Sequence, residues 1–188
     1  HLLVSPFFMR QRLERLINDE IKNAKEKKPA YIILKLNSLE DLGIIAKLYE
    51  ASNAGVKIKL IIRGVCSLIP GVKGLSDNIT CISILDRYLE HYRLFIFCNG
   101  GDEKYYISSA DMMSRNLDVR TEVACPIYDK NIKQEIKNIL DIQLSDNSKA
   151  RVIDEKMDNH YVKNKGKKVR SQVDIYNYFY KRRNLKTK

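Results

Sequence analysis

The chain has 188 residues, 44% apolar and 30% charged, with eight Gly, four Pro and no Trp. That length supports one domain whose core needs no disulfide or metal staple, and the composition excludes collagen, mucin stalks, low-complexity chains and small disulfide scaffolds. The net charge of +11 is uneven: residues 163–188 hold ten Lys/Arg and one acid, whereas residues 1–162 carry only +2.

The chain opens on His1 rather than Met and runs straight into Leu2–Val4, a strand-like segment. It is therefore expected to be part of a longer polypeptide. Phe8 to Lys27 reads as a helix, with Leu13, Leu16, Ile17, Ile21 and Ala24 recurring on one face. Tyr31–Leu36 is an apolar run with one Lys, the pattern of a strand buried on both faces. Ser38-Leu-Glu-Asp41 resembles a capping box opening a helix that runs to Ala54, with Gly55 as its stop. Lys57–Ile62 is the next strand. Two strands joined by such a helix make a parallel crossover unit.

Pro70–Asn78 reads as turns, Thr80–Leu85 as a strand and Asp86–Glu90 as one helical turn. Arg93–Cys98 and Lys104–Ile107 form an antiparallel pair around the turn Asn99-Gly-Gly-Asp102. Ser108–Asn116 is polar and irregular. Val119–Tyr128 reads as a strand interrupted at Pro126, Asn131–Leu144 as a helix, Ala150–Ile153 as an edge strand and Val173–Tyr180 as helical. Cys66, Cys81, Cys98 and Cys125 show no CxxC spacing, so they are expected as small buried hydrophobes in a reducing compartment.

Arg63 ends a strand of the parallel unit, where open α/β sheets bind ligands. His91 and Arg93 share a face if the chain is extended there, since side chains alternate. Imidazole titrates near neutrality and guanidinium stays charged, so both could serve one phosphate. A lone His beside a strand is more often structural, and these residues alone leave the point open. Tyr88, Met112 and Met113 read as core packing.

The segment after the hairpin, Tyr106-Ile-Ser-Ser-Ala-Asp-Met-Met-Ser-Arg-Asn-Leu-Asp118, follows a His-x-Arg. This arrangement resembles a half-site of the phospholipase D superfamily, with Arg93 where Lys is usual and Ser108-Ser109 where Gly-Ser is usual. A wider set of ordered blocks runs from Leu3-Val-Ser-Pro through Ile33-Leu-Lys-Leu-Asn, Ile62-Arg-Gly-Val-Cys-Ser-Leu and Asp86-Arg-Tyr-Leu-Glu-His to Asn159-His-Tyr-Val162. Together they resemble the carboxyl-terminal, second phospholipase-D-like domain of bacterial polyphosphate kinases.

The resemblance implies an α/β fold, a phospholipase-D-like mixed sheet with helices on both faces. Residues 1–162 would form the domain and 163–188 a basic, partly helical tail. The family reaction is reversible transfer of the terminal phosphate of ATP to polyphosphate, using magnesium and a phosphohistidine that would lie outside this chain. His91 is the implied catalytic residue. Arg63, His91 and Arg120 match ATP- and phosphate-binding positions, and Arg93, Ser109, Asp111 and Arg115 would support them. No metal ligand is expected within the chain, since magnesium would be held by ATP and by parts elsewhere. The implied partners are ATP and ADP, inorganic polyphosphate, the other domains of the same polypeptide and further copies in an oligomer, with no nucleic acid. The implied location is the cytoplasm, with peripheral attachment to the inner membrane as a further expectation.

Simpler roles compete: an ion pair for Arg63 at a sheet end, Asp118 or Glu122 as partners of Arg120, and loop bracing for Ser109, Asp111 and Arg115. Two other functions also compete. One is a phosphodiesterase or nuclease that completes its site by dimerisation, against which Arg93 in place of Lys counts. The other is a polyanion-binding module using the basic tail.

Overall fold

A computed structural model describes residues 1–186. Its eight strands are β1 (Leu3–Ser5), β2 (Tyr31–Leu36), β3 (Lys57–Ile62), β4 (Ile79–Ile84), β5 (Arg93–Phe97), β6 (Lys104–Ser108), β7 (Glu122–Ile127) and β8 (Ala150–Ile153). They form one sheet in the order β1-β7-β6-β5-β2-β3-β4-β8. β2, β3 and β4 run parallel; the remaining pairs are antiparallel. This is the expected mixed sheet, its parallel part generated by the crossover through helix α2 (Leu42–Asn53).

Alternation within strands sorts the core into two layers. Phe95 and Phe97 point to the face covered by α1 (Met9–Lys25) and α2, where Leu13, Leu16, Ile17, Ile44 and Leu48 are buried. Leu94 and Ile96 point to the other face, beneath Ile136 and Leu140 of α4 (Lys130–Leu144). A short helix, α3 (Ser114–Asp118), and a carboxy-terminal helix, α5 (Ser171–Lys186), complete the elements. Among the described residues, no helix is long and apolar enough to cross a membrane.

Several expectations need correction. The α2 N-cap is Asp41, not Ser38: the Asp41 carboxylate accepts the Ile44 N–H at 3.0 Å. Asp41 also takes both terminal nitrogens of Arg10, at 2.8 and 2.6 Å, and the Ser114 hydroxyl at 2.8 Å, which ties α1, α2 and α3 together. Those bonds hold its carboxyl well below the usual range. Asp86–Glu90 forms no helical turn; Leu85–Tyr92 has neither helix nor strand. The strand predicted from Val119 starts at Glu122, after a turn, and α3 organises the end of the stretch taken as irregular. Pro126 stays within β7 because it lies beyond the reach of β1, where a missing N–H breaks no ladder on that side. Tyr88 and Cys125 are exposed rather than packed.

The turn at Asn99–Gly101 has positive φ at all three residues, which the two glycines adopt freely. Buried Glu20 of α1 accepts the Asn99 N–H and so anchors this turn from below.

Candidate phosphate site at one end of the sheet

The carboxyl ends of β2 and β3 and the amino end of β5 lie together, as the register Leu36↔Ile62 and Lys35↔Leu94 requires. Arg93 opposes Ser108 at the end of β6, and Ser108 opposes Ala124 near the start of β7. Every sequence-predicted site residue therefore falls at one end of the sheet.

At its centre is a chain of hydrogen bonds. Arg63, just past β3, donates from Nε to Asn37 Oδ1 at 2.6 Å. Asn37 in turn donates its backbone N–H to Asp111 Oδ1 at 2.7 Å and its amide nitrogen to Oδ2 at 3.3 Å. Asp111 also receives the Ser38 N–H at 3.1 Å and the Arg93 guanidinium, at 2.8 Å from one terminal nitrogen and 3.3 Å from Nε. The other terminal nitrogen of Arg93 reaches His91, 2.9 Å from its carbonyl and 3.2 Å from Nδ1. Burial pushes the Asp111 carboxyl up, but Arg93 and the two backbone donors outweigh it and hold the group below its ordinary value.

The charges are apportioned unevenly. Arg93 is neutralised by Asp111, and buried Lys35 by Glu90 at 3.1 Å. Among the described residues, Arg63 has a neutral amide as its hydrogen-bond partner and no carboxylate in an ion pair. Its positive charge thus remains available to an anion. Close approach of the backbone lets Arg63 sit there: the Gly64 N–H donates to Asn37 O at 2.8 Å, and a Cβ on Gly64 would come within 2.8 Å of that same oxygen.

The remaining predicted residues line the flank. The Ser109 hydroxyl bonds Glu122, and its oxygen accepts the Val123 N–H at 3.1 Å. Arg115 points a terminal nitrogen at Met113 Sδ, 3.6 Å away, and its carbonyl accepts the Arg120 N–H at 2.9 Å. Arg120 is exposed. The acids beside it are engaged elsewhere: Asp118 binds Arg10 at 2.6 Å, and Glu122 binds Asn116 at 2.5 Å as well as Ser109. The structure thus joins Arg63, Asp111, Arg93 and His91 in one network, with Ser109, Arg115 and Arg120 beside it and not bonded to it.

Sequence reasoning missed Asn37, Lys35 and Glu90. The Lys within the apolar run of β2 was the available signal, since a buried ammonium demands a buried partner. Burial lowers the Lys35 pKa and Glu90 opposes that shift, while Tyr92 presents its ring 4.4 Å from the ammonium.

A resident magnesium does not fit these residues. Asp111 is already saturated by donors, and each oxygen of Glu122 is engaged, by Ser109 and by Asn116. The group of half-buried Asp154 with exposed Asp158 and His160 follows Ile153, which pairs with Cys81 towards the opposite end of the sheet.

The model of the family described as polyphosphate kinase C-terminal domain 2 matches residues 2–172. The chain is 55% identical over 179 residues to a polyphosphate kinase of Vibrio parahaemolyticus, covering 95% of this chain and 26% of that protein. It is 51% identical over 179 residues to one of Escherichia coli K12, with the same coverage. The crystal structure of polyphosphate kinase from Porphyromonas gingivalis superposes with a TM-score of 0.94 at 46% identity, over 98% of this chain and 28% of that one. Nuc of Salmonella typhimurium, a phospholipase D family member, matches with a TM-score of 0.57 at 14% identity, over 82% of this chain and 97% of its own; that likeness concerns the fold alone. The chain spans about a quarter of the length of the relatives it matches, and it belongs to the polyphosphate kinase family, as the second of its C-terminal domains.

Proposed function

We propose that this domain forms one side of an ATP–polyphosphate phosphotransferase centre and supplies Arg63, His91 and Arg120 to the phosphates. The observation that carries the reading is the unneutralised guanidinium of Arg63, hydrogen-bonded through Asn37, Asp111 and Arg93 to His91 at the carboxyl end of parallel strands.

In the proposed reaction the bond between the β-γ bridging oxygen and the γ-phosphorus of ATP breaks as a bond to a histidine outside this chain forms. The phosphoryl group then passes to the terminal oxygen of polyphosphate. Such transfers depend on positioning and charge neutralisation more than on covalent work by the protein. Arg63 and Arg120 would fork onto phosphate oxygens. Arg93 can only donate, so a hydrogen bond to Nδ1 makes that atom the acceptor and leaves the N–H of neutral His91 on Nε2. That N–H would donate a hydrogen bond to a phosphate oxygen and stabilise the charge that develops there. Magnesium would arrive with the nucleotide. The remaining domains of the polypeptide would complete the site, in the cytoplasm.

The test is transfer between ATP and polyphosphate by the full-length protein carrying His91→Ala or Arg63→Ala. The expected result is a loss of at least tenfold in turnover for each. Full activity in both would overturn the assignment, and hydrolysis of a phosphodiester substrate without ATP–polyphosphate transfer would point to a phosphodiesterase.

A further inference from the structure

The segment that carries His91 has no ladder of its own, and its fixings come from far along the chain. We propose that Arg170 and Gln172, at the start of α5, form a clamp that positions His91. This rests on the reading of His91 given above.

The clamp has three points. Arg170 forks onto Asp86, with its Nε 2.8 Å from Oδ2 and a terminal nitrogen 2.7 Å from Oδ1. The Asp86 side chain is only 4% exposed, and its pairing with Arg170 lowers its pKa. Gln172 pairs with the backbone of Tyr88 as another strand would: its Oε1 accepts the Tyr88 N–H at 2.9 Å, and its Nε2 donates to Tyr88 O at 2.8 Å. The same Nε2 lies 3.1 Å from Glu90 Oε1.

Glu90 carries the constraint to the residue beside His91. Its second oxygen takes Lys35 of β2 at 3.1 Å and the side-chain nitrogen of Gln143 of α4. One carboxylate therefore ties α5, α4 and the central strand to a single point in the loop. α5 is itself seated: the Ser171 N–H donates to Asp146 Oδ2 at 2.7 Å, and buried Asp146 spends its other oxygen on three backbone N–H groups of residues 148–150. Between this clamp and α4 lies an apolar cavity of about 410 Å³, lined by Tyr92, Ile136, Ile175 and Phe179 among others. Arg93 holds His91 from the other side, through its carbonyl and Nδ1.

The positioning residues are thus Arg170, Gln172 and Glu90, none of which needs to touch phosphate. The variant of choice is Gln172→Met, which keeps length and apolar contact while removing both backbone bonds; Arg170→Met removes the fork without touching Tyr88. Hydrogen exchange of the full-length protein should show the Tyr88 amide about tenfold less protected in Gln172→Met, with β2 and β3 amides unchanged. Turnover should fall about three- to tenfold in either variant. A double-mutant cycle separates positioning from mere stability. If the clamp acts through His91, Gln172→Met costs nothing further in a His91→Ala background. Unchanged Tyr88 exchange would overturn the clamp. Full additivity with His91→Ala would overturn its action on His91. Wild-type turnover of His91→Ala alone would overturn the role of His91 itself, and the exchange data would still decide whether the clamp exists.

Discussion

Arg63 is the residue on which the proposed chemistry leans most. A charge-assisted bond to phosphate is worth about 1.5–3 kcal/mol, or one to two decades. Steady-state kinetics of the full-length Arg63→Ala protein should show that loss in turnover and in nucleotide binding. Arg63→Lys should not restore it, because a point charge replaces a fork already oriented by Asn37; wild-type kinetics for the Lys variant would exclude a bidentate contact. Asp111 should matter chiefly to the fold. Its pair with Arg93 is largely buried, at 8% and 12% exposure, so Asp111→Ala leaves an unpaired guanidinium and should cost about 3 kcal/mol in denaturant titration. Because the Asp111 pKa is depressed in the folded state, its stabilisation is complete above the ordinary carboxylate value near 4. It is lost as pH falls through the depressed value, so acid unfolding of Asp111→Asn should depend less on pH in that window. Arg63, His91, Arg93 and Asp111 were readable as candidates because each stands at a strand end or in a motif block. Asn37 and Glu90 stand in such blocks too, but neither side chain suggests a phosphate contact, and their importance comes from partners 26 to 82 residues away that no local pattern reveals.

Helices and strands with strong periodicity lay almost where hydrophobic spacing put them, as α4 and β3 show. Asp86–Glu90 did not, because its polar groups are satisfied by α5 and not by their own turn. The carboxy-terminal segment also carries two properties that composition alone merged. α5 is docked through Ser171, Gln172 and the Asn138–Tyr178 bond at 3.1 Å, whereas Lys163, Lys165, Lys167 and Lys168 are exposed on the loop before it. Ending the chain before Lys163 should therefore lower thermal stability. Losing the buried bond of Ser171 and the paired bonds of Gln172 alone costs about 2 kcal/mol, or about 4–8 °C. An unchanged melting temperature would show that α5 contributes no fixing. The same truncation, followed across a salt series with polyphosphate, should reduce the slope of log affinity against log salt if the lysines engage polymer. An equal slope would exclude that tether.

For the molecule as a whole, all the proposed phosphate contacts face one end of one sheet, and the proposed reaction draws its phosphohistidine from outside this chain. The 188-residue chain by itself should therefore show no ATP–polyphosphate transfer; turnover that disappears in His91→Ala would refute this. The mixed topology was legible because a crossover unit and a hairpin leave few ways to share one sheet. Its outer order was not, since the pairings of β1 with β7 and of β4 with β8 join segments with no common local pattern. The β1–β7 pairing also governs assembly. Leu3 meets Ala124 across most of the chain, so the domain's own first strand is among the last that can be placed. Closing so long a loop gains nothing until β5, β6 and β7 already stand. Until then α1, attached to that strand, must hold its apolar stripe against an incomplete layer. Nascent domains are thus exposed to aggregation for longer at this edge than at the parallel centre, where β2, α2 and β3 can collapse from sequence neighbours alone.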